Sequence, residues 1–503
     1  MSAPMPHAGE HRYPVTGSAF GLPLMVLCAL QLMVVLDGTV VNLALARIQV
    51  ELGLTDAMRS WVVTSYALAY GGLLLLGGRI GDVFGRRRAF LGGVAIFTLA
   101  SLACGLATTP EVLIVARIAQ GIGAAIASPT AMALIVVTFA PGRPRNQAFT
   151  VFAAMSGLGS VMGLVVGGAL TEASWRWIFL INVPIGLAIM AAGLKALTVV
   201  GPTERLALDV RGAILATAAS TLLVFGLAGG GAGADIVVVA ALVIGVVLLL
   251  AFFYSQRTAV NPVLPLHMFA NRSRAAVFIC LLLVGALMMA MTVQVALFVQ
   301  EVVGYGPLQA GLAFIPFAFA LGLGTFAAGS LAERTQPRWI ITAGGLILVA
   351  GFVYASQLGE DIGYVPELLI GILAIGFGIG MVLIPLTLSV VAGVAPADVG
   401  PLTATALVSQ TLGGPLGLAA VTAFGEARAR SIVGDGFDSI NREALTGLER
   451  TALAAGYTDS LLICAGLSAL VVVIAVVFVR FTADDIREGK KAEAAANTNR
   501  DNA

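Results

Sequence analysis

Gly78-Arg79-Ile80-Gly81-Asp82-Val83-Phe84-Gly85-Arg86-Arg87-Arg88 separates two apolar runs that carry no charge between residues 60 and 78 or between 89 and 110. Each run has the roughly 20 residues that a helix needs to cross a bilayer. The stretch between them, with four arginines and one aspartate, belongs at a membrane surface. Its glycines permit a tight turn and close helix approach. The expectation is helix, turn, helix across a membrane, with the arginines on the cytoplasmic side. A shorter echo, Gly329-Ser330-Leu331-Ala332-Glu333-Arg334, closes another apolar run 251 residues further on. Both places set small residues and then an acid at the end of a span.

The rest of the chain fits that frame. Of its 503 residues 59% are hydrophobic and only 11% are charged, and the mean hydropathy is +0.98. Soluble domains carry about 25% charged residues, so a soluble multidomain enzyme is excluded, and so is disorder, which needs low hydrophobicity. About fourteen spans can be read along the chain. The fold class is all-α and polytopic, with the lipid bilayer as partner. Six short-looped spans take roughly 180–200 residues, and the excess in the 251-residue repeat matches two spans between 205 and 262. The chain therefore divides into a six-span half at 1–204, a two-span insert at 205–262, a second six-span half at 263–482 and a polar tail at 483–503. Internal repeats of this kind are the logic of secondary transporters. With the N-terminus inside, 20 of the 28 Lys and Arg fall on the cytoplasmic side and 7 on the other. Both termini are expected in the cytoplasm.

Other counts remove function classes. Cys28, Cys104, Cys280 and Cys464 are far apart in apolar runs and read as small buried hydrophobes. His7, His11 and His267 lie outside the spans, so no metal site or histidine-based catalytic centre is expected. The lysines, Lys195, Lys490 and Lys491, sit in no P-loop, so ATP is not consumed by this chain. The first twenty residues show no cleavable signal pattern. A net charge of +1 implies no nucleic acid. No cofactor and no enzymatic activity are expected, and the protein is read as a monomer.

Five further patterns carry chemistry. Leu36-Asp37-Gly38-Thr39-Val40-Val41-Asn42 puts an acid inside the first span, where a charge is costly and usually functional. Desolvation there disfavours the carboxylate and suits Asp37 to exchanging a proton. The alternative is a structural Asp bonded to a neighbouring helix. In the Gly78–Arg88 stretch, Gly78, Asp82, Gly85 and Arg86 form a candidate gate, with Asp82 accepting a helix N-terminus or an arginine. The arginines also serve as positive-inside anchors. Arg117, in Arg117-Ile118-Ala119-Gln120-Gly121-Ile122-Gly123, cannot be neutralised and needs a partner; its field can favour proton release from Asp37. It could instead be a permanent hydrogen-bonding centre. Gly159, Gly163, Gly167 and Gly168 lie at spacings that pack helices closely. Trp175-Arg176-Trp177-Ile178-Phe179-Leu180-Ile181-Asn182-Val183-Pro184-Ile185-Gly186 opens the sixth span, its tryptophans suited to an interfacial belt.

Together these patterns resemble the major facilitator superfamily, in its fourteen-span drug:proton antiporter branch, over roughly residues 20–480. The resemblance implies a major facilitator fold of two six-helix halves plus a two-helix insert. It implies proton-coupled export of antibiotics or other amphiphilic small molecules across the cytoplasmic membrane, with self-resistance in an antibiotic producer as a related role. Asp37 would couple protons, Arg117 would tune it, and the Asp82 loop would gate the cycle. Three positions depart from the family pattern: Ala46 and Leu164 replace prolines, and Val83 replaces an arginine.

In the second half Glu301, in Gln300-Glu301, is a rim group or a second protonatable site, and the rim is favoured. Gln31, Asn42, Gln120, Gln294 and Gln410 are candidate cavity residues or helix cross-links. Gly413-Gly414-Pro415-Leu416-Gly417 suggests a breakable helix in the thirteenth span. Export of a lipid or an endogenous metabolite is an alternative reading. A non-transporting sensor or scaffold is another, although it needs neither Asp37 nor Arg117 inside the membrane.

Overall fold

Apolar segments in a bilayer must satisfy their own backbone hydrogen bonds, and this chain does so with helices. A computed structural model describes residues 21–139, 143–197, 209–229, 236–259, 264, 266–332, 334–359, 363–394, 396–434, 437, 440, 445–482 and 485. Among them are sixteen α-helices: α1 (Leu22–Leu52), α2 (Asp56–Phe84), α3 (Arg86–Gly105), α4 (Pro110–Thr138), α5 (Arg143–Ala173), α6 (Trp177–Leu180), α7 (Asn182–Ala196), α8 (Val210–Gly229), α9 (Ile236–Thr258), α10 (Arg272–Leu297), α11 (Pro307–Ala313), α12 (Ile315–Leu331), α13 (Pro337–Ala355), α14 (Leu369–Val390), α15 (Pro396–Val433) and α16 (Gly447–Phe478). Twelve helical stretches among the described residues are long and apolar enough to cross a membrane, against the fourteen expected. The expected spans missing from that set are α2 and α5. They are 29 and 31 residues long and pack lengthwise against α4 and α1.

Local chemistry sets the ends. Thr55 and Thr109 cap α2 and α4 through their side chains, and Pro110 stands at the first turn of α4, where its missing N–H costs nothing. Gly85 has φ +93°, a conformation that other residues rarely adopt, and it is the single residue between α2 and α3. Two expected spans are interrupted. The sixth breaks at Ile181 between α6 and α7, because Pro184 cannot donate to the carbonyl four residues back. The tenth breaks at Phe314, where Pro316 opens α12. Conversely, α15 runs unbroken through Gly413–Gly417, so that stretch is a packing surface rather than a break.

The helices pair in a pattern that repeats. In the first half α1 packs on α5, α2 on α4, α3 on α4 and α3 on α7. In the second, α10 packs on α15, α12 on α14, α13 on α14 and α13 on α16. The contacts between halves exchange in the same way: α2 meets α15, and α5 meets α11. Helices α8 and α9 pair with each other, and α8 rests on both α2 and α15.

Glycines let the paired helices touch. A Cβ on Gly167 would lie 3.0 Å from Val40 Cα, and one on Gly163 would overlap Thr39, so α5 lies directly on the Asp37 segment of α1. The second half uses the same device on the corresponding pair, where Gly413 and Gly417 of α15 face Leu282 and Ala286 of α10.

Candidate functional site

Asp37 and Arg117 meet in the interior of the first half. Both are fully buried. Asp37 lies midway along α1, and Arg117 two turns into α4. Gly121 and Gly123 seat α4 closely on its other neighbours, since a Cβ on Gly121 would stand 2.6 Å from the Tyr66 carbonyl of α2 and one on Gly123 2.6 Å from the Phe97 amide of α3. Arg117 NH1 donates to Asp37 Oδ2 at 2.6 Å, a charge-assisted bond.

The rest of the shell completes the pair. Gln120 Nε2 donates to Asp37 Oδ1 at 3.1 Å and Asn182 Nδ2 to the same oxygen at 2.9 Å. Asp37 thus accepts three donors, which suits a charged carboxylate. Arg117 is fixed elsewhere as well, with Nε donating to the Val62 carbonyl at 2.9 Å and NH1 to Gln120 Oε1 at 2.9 Å. Gln120 is itself oriented by Ser101 Oγ, which it reaches at 2.7 Å, and by Cys104 Sγ, which donates to Oε1 at 3.3 Å. The guanidinium lies over the Tyr66 ring, 4.3 Å from its centroid, and 5.7 Å from that of Phe179. Removing either charge would leave the other buried and unpaired, at a cost of about 3–5 kcal/mol.

Asn182 is the partner that the sequence concealed. It stands in the Trp175–Gly186 pattern, and the break at Ile181 turns it into the site as the first residue of α7. The same pattern splits its two tryptophans. Trp177 is exposed, as an interfacial belt requires. Trp175 is buried, donating to Glu51 at 2.7 Å.

The candidate cavity residues do not gather in one place. Gln120 belongs to the ion-pair shell. Gln31 and Asn42 are eleven residues apart on α1, about 16 Å along the axis. The Oδ1 of Asn42 is buried without a hydrogen-bond partner. Gln294 acts as a cross-link from α10, donating to Thr422 on α15 at 3.3 Å and to Ser460 on α16 at 3.2 Å. Gln410 meets the Met288 sulfur at 3.7 Å.

In the gate motif, Gly78 lies against Pro129 of α4, and Arg86 NH1 donates to the Ala133 carbonyl at 3.4 Å. Arg87 bonds the Leu194 carbonyl of α7. The motif therefore ties α2 and α3 to α4 and α7. The side chains of Asp82 and Glu333 lie outside the described residues. In the antiporter motif, Gly168 meets the second half, 2.7 Å from its Cβ position to the Pro307 carbonyl, and the Leu164 carbonyl faces Gly311 of α11.

Glu301 is more than a rim group. It lies in the π-helical segment Phe298–Val302 that ends the α10 span. Its carboxylate accepts from Arg59 NH1 of α2 at 2.8 Å and from the Tyr457 hydroxyl of α16 at 2.6 Å, with only 6% of the Arg59 side chain and 3% of the Glu301 side chain exposed.

A bundle of membrane-spanning helices in two similarly paired sets, with an ion pair sealed inside one of them, defines a multi-pass membrane protein of the transporter type. Residues 27–418 match the family model of the Major Facilitator Superfamily, and the chain belongs to that superfamily. The MFS-type transporter EfpA of Mycobacterium tuberculosis is 43% identical over 480 residues, covering 95% of this chain and 90% of that one. The cephamycin export protein CmcT of Amycolatopsis lactamdurans is 38% identical over 433 residues, covering 83% and 89%. Among solved structures, a bacterial homologue of the human lysosomal transporter Spinster, inward-facing and occupied, superposes with a TM-score of 0.65 at 18% identity, covering 92% of this chain and 97% of that one. That likeness concerns the fold alone.

Proposed function

We propose that this protein is a proton-coupled secondary transporter that exports antibiotics or other amphiphilic small molecules across the cytoplasmic membrane. The observation that carries the proposal is the sealed Asp37–Arg117 pair with its Gln120 and Asn182 shell. The similarity to a cephamycin exporter supports the direction and the substrate class. The distribution of Lys and Arg supports cytoplasmic termini and, with them, an α1–α2 turn on the outer side. The protein is read as working as a monomer, with residues 1–204 and 263–482 as its two moving halves.

The shell supports a role for a proton. Asp37 accepts from Arg117, Gln120 and Asn182. A proton on Asp37 converts one acceptor oxygen into a donor and cancels the attraction to Arg117. The guanidinium cannot lose its own proton, but it keeps the Val62 carbonyl, Gln120 Oε1 and the Tyr66 ring as partners. α1 is then free to shift against α4, and the halves can exchange the side to which they open. Each charge carried through a potential of 100 mV supplies about 2.3 kcal/mol. Drug efflux from energised inverted vesicles, with and without a protonophore, tests this reading. Asp37→Asn is expected to abolish gradient-dependent efflux when compared at matched amounts of folded protein. Wild-type rates from that variant would reject the assignment.

A further inference from the structure

We propose that Glu301 is a second proton-exchange site of the transport cycle, and that a proton taken up there releases Arg59 and opens the α1–α2 end of the bundle. This rests on the transporter reading above and adds to it a site in the other half.

The geometry is that of a latch. The Arg59–Glu301 ion pair joins a helix of the first half to an element of the second. Arg59 is anchored on its own side by Gln49 of α1, 2.8 Å from its NH1. Glu301 is anchored on the other side by Tyr457. Arg450 of α16 adds a bond to the carbonyl of the neighbouring Val302 at 2.8 Å. Two glycine contacts between the halves, Gly168 against Pro307 and Gly311 against Leu164, lie near the same end, where α5 finishes and α11 begins. Breaking the pair while both groups are still charged and buried is costly. Only one of them can be discharged, because a guanidinium stays protonated. A proton on Glu301 removes its charge and still leaves an oxygen to accept from Tyr457.

A small pocket of about 20 Å³, room for a single water, is lined by both partners of Glu301, Arg59 and Tyr457, and by Gln294, Thr422, Ser460 and Glu426. Its amide and hydroxyl groups offer the several polar partners that a buried water needs. The charged and titratable groups packed around Glu301 are Arg59 from α2, Tyr457 and Arg450 from α16, Glu426 of α15 across the cavity, and Tyr305 in the turn that follows. α1 contributes the uncharged Gln49, and α11 carries no charged residue.

Spin labels at Val50, exposed on the last turn of α1, and Leu448, exposed on the first turn of α16, report the opening of this end in the purified full chain. The four native cysteines are buried and leave the labels selective. Acidification is expected to lengthen the distance between the labels. Glu301→Gln is expected to hold the longer distance at every pH, and Glu301→Asp to restore the titration. In an Asp37→Asn background the titration should persist, which separates this site from the first. A distance insensitive to pH, a Glu301→Gln protein that titrates like wild type, or loss of the titration in Asp37→Asn would each overturn the proposal. No substrate enters the measurement, so its outcome is independent of the efflux assay.

Discussion

At the scale of single residues, the site depends on the shape of a guanidinium as much as on its charge. Arg117 uses Nε for a backbone carbonyl and NH1 for both Asp37 and Gln120, while its face lies on Tyr66. An ammonium on a flexible stem cannot reproduce that arrangement. Arg117→Lys is therefore expected to keep the charge and lose the function. With one or two charge-assisted bonds lost, at about 1.5–3 kcal/mol each, efflux should fall by at least about tenfold, measured in the vesicle assay at matched expression. Near-normal efflux would show that charge alone suffices. Asp37 and Arg117 were legible because charges inside apolar runs are rare. Asn182 and the Val62 carbonyl were not, since the rotation of each helix is set by packing and not by hydropathy. The Arg59–Glu301 pair was hidden for another reason: its members are 242 residues apart and share no periodic pattern.

At the scale of elements, glycines divide into those that touch a neighbour and those that do not, and the sequence alone does not sort them. Gly167 of α5 faces Val40 of α1 with no room for a side chain. Gly38, beside Asp37, has nothing within 4 Å of its Cβ position. Gly167→Leu is expected to push α5 from α1, destabilise the protein by about 1–3 kcal/mol through overpacking, and impair efflux by moving the Asp37 segment. Gly38→Ala should be tolerated and stabilise α1 by about 0.5–1 kcal/mol. Melting temperatures in detergent, read beside efflux, check both, and a Gly38→Ala protein less stable than Gly167→Leu would contradict this sorting. The spans themselves were legible as apolar runs. The interruptions at Ile181 and Phe314 were signalled by Pro184 and Pro316, whereas Pro415 lies within an unbroken α15, so proline position alone does not foretell a break.

At the scale of the whole molecule, α2 serves two neighbours through adjacent glycines. A Cβ on Gly71 would stand 2.8 Å from Thr411 Cγ2 of α15, across the seam between the halves. A Cβ on Gly72 would stand 3.1 Å from Thr217 Cβ of α8, in the two-helix insert. The insert is also held by Trp61 against Phe225, 6.4 Å between centroids, and by Leu68, Val224 and Ala419, which bury one another. The repeat between the halves was visible in the sequence as a short echo, but the seat of the insert was not, because nothing in an apolar run names the surface it will cover. If the halves rock against each other while α8 and α9 ride on the seam, the two glycines should separate in function. Gly71→Val fills a surface that must slide and is expected to stop efflux. Gly72→Val displaces the insert and is expected to lower the melting temperature while most of the efflux survives. Both substitutions add the same isopropyl side chain one residue apart on the same helix, so propensity and bulk cancel in the comparison. The reverse result, efflux lost only in Gly72→Val, would make the insert a working part of the moving surface and not a passenger on it.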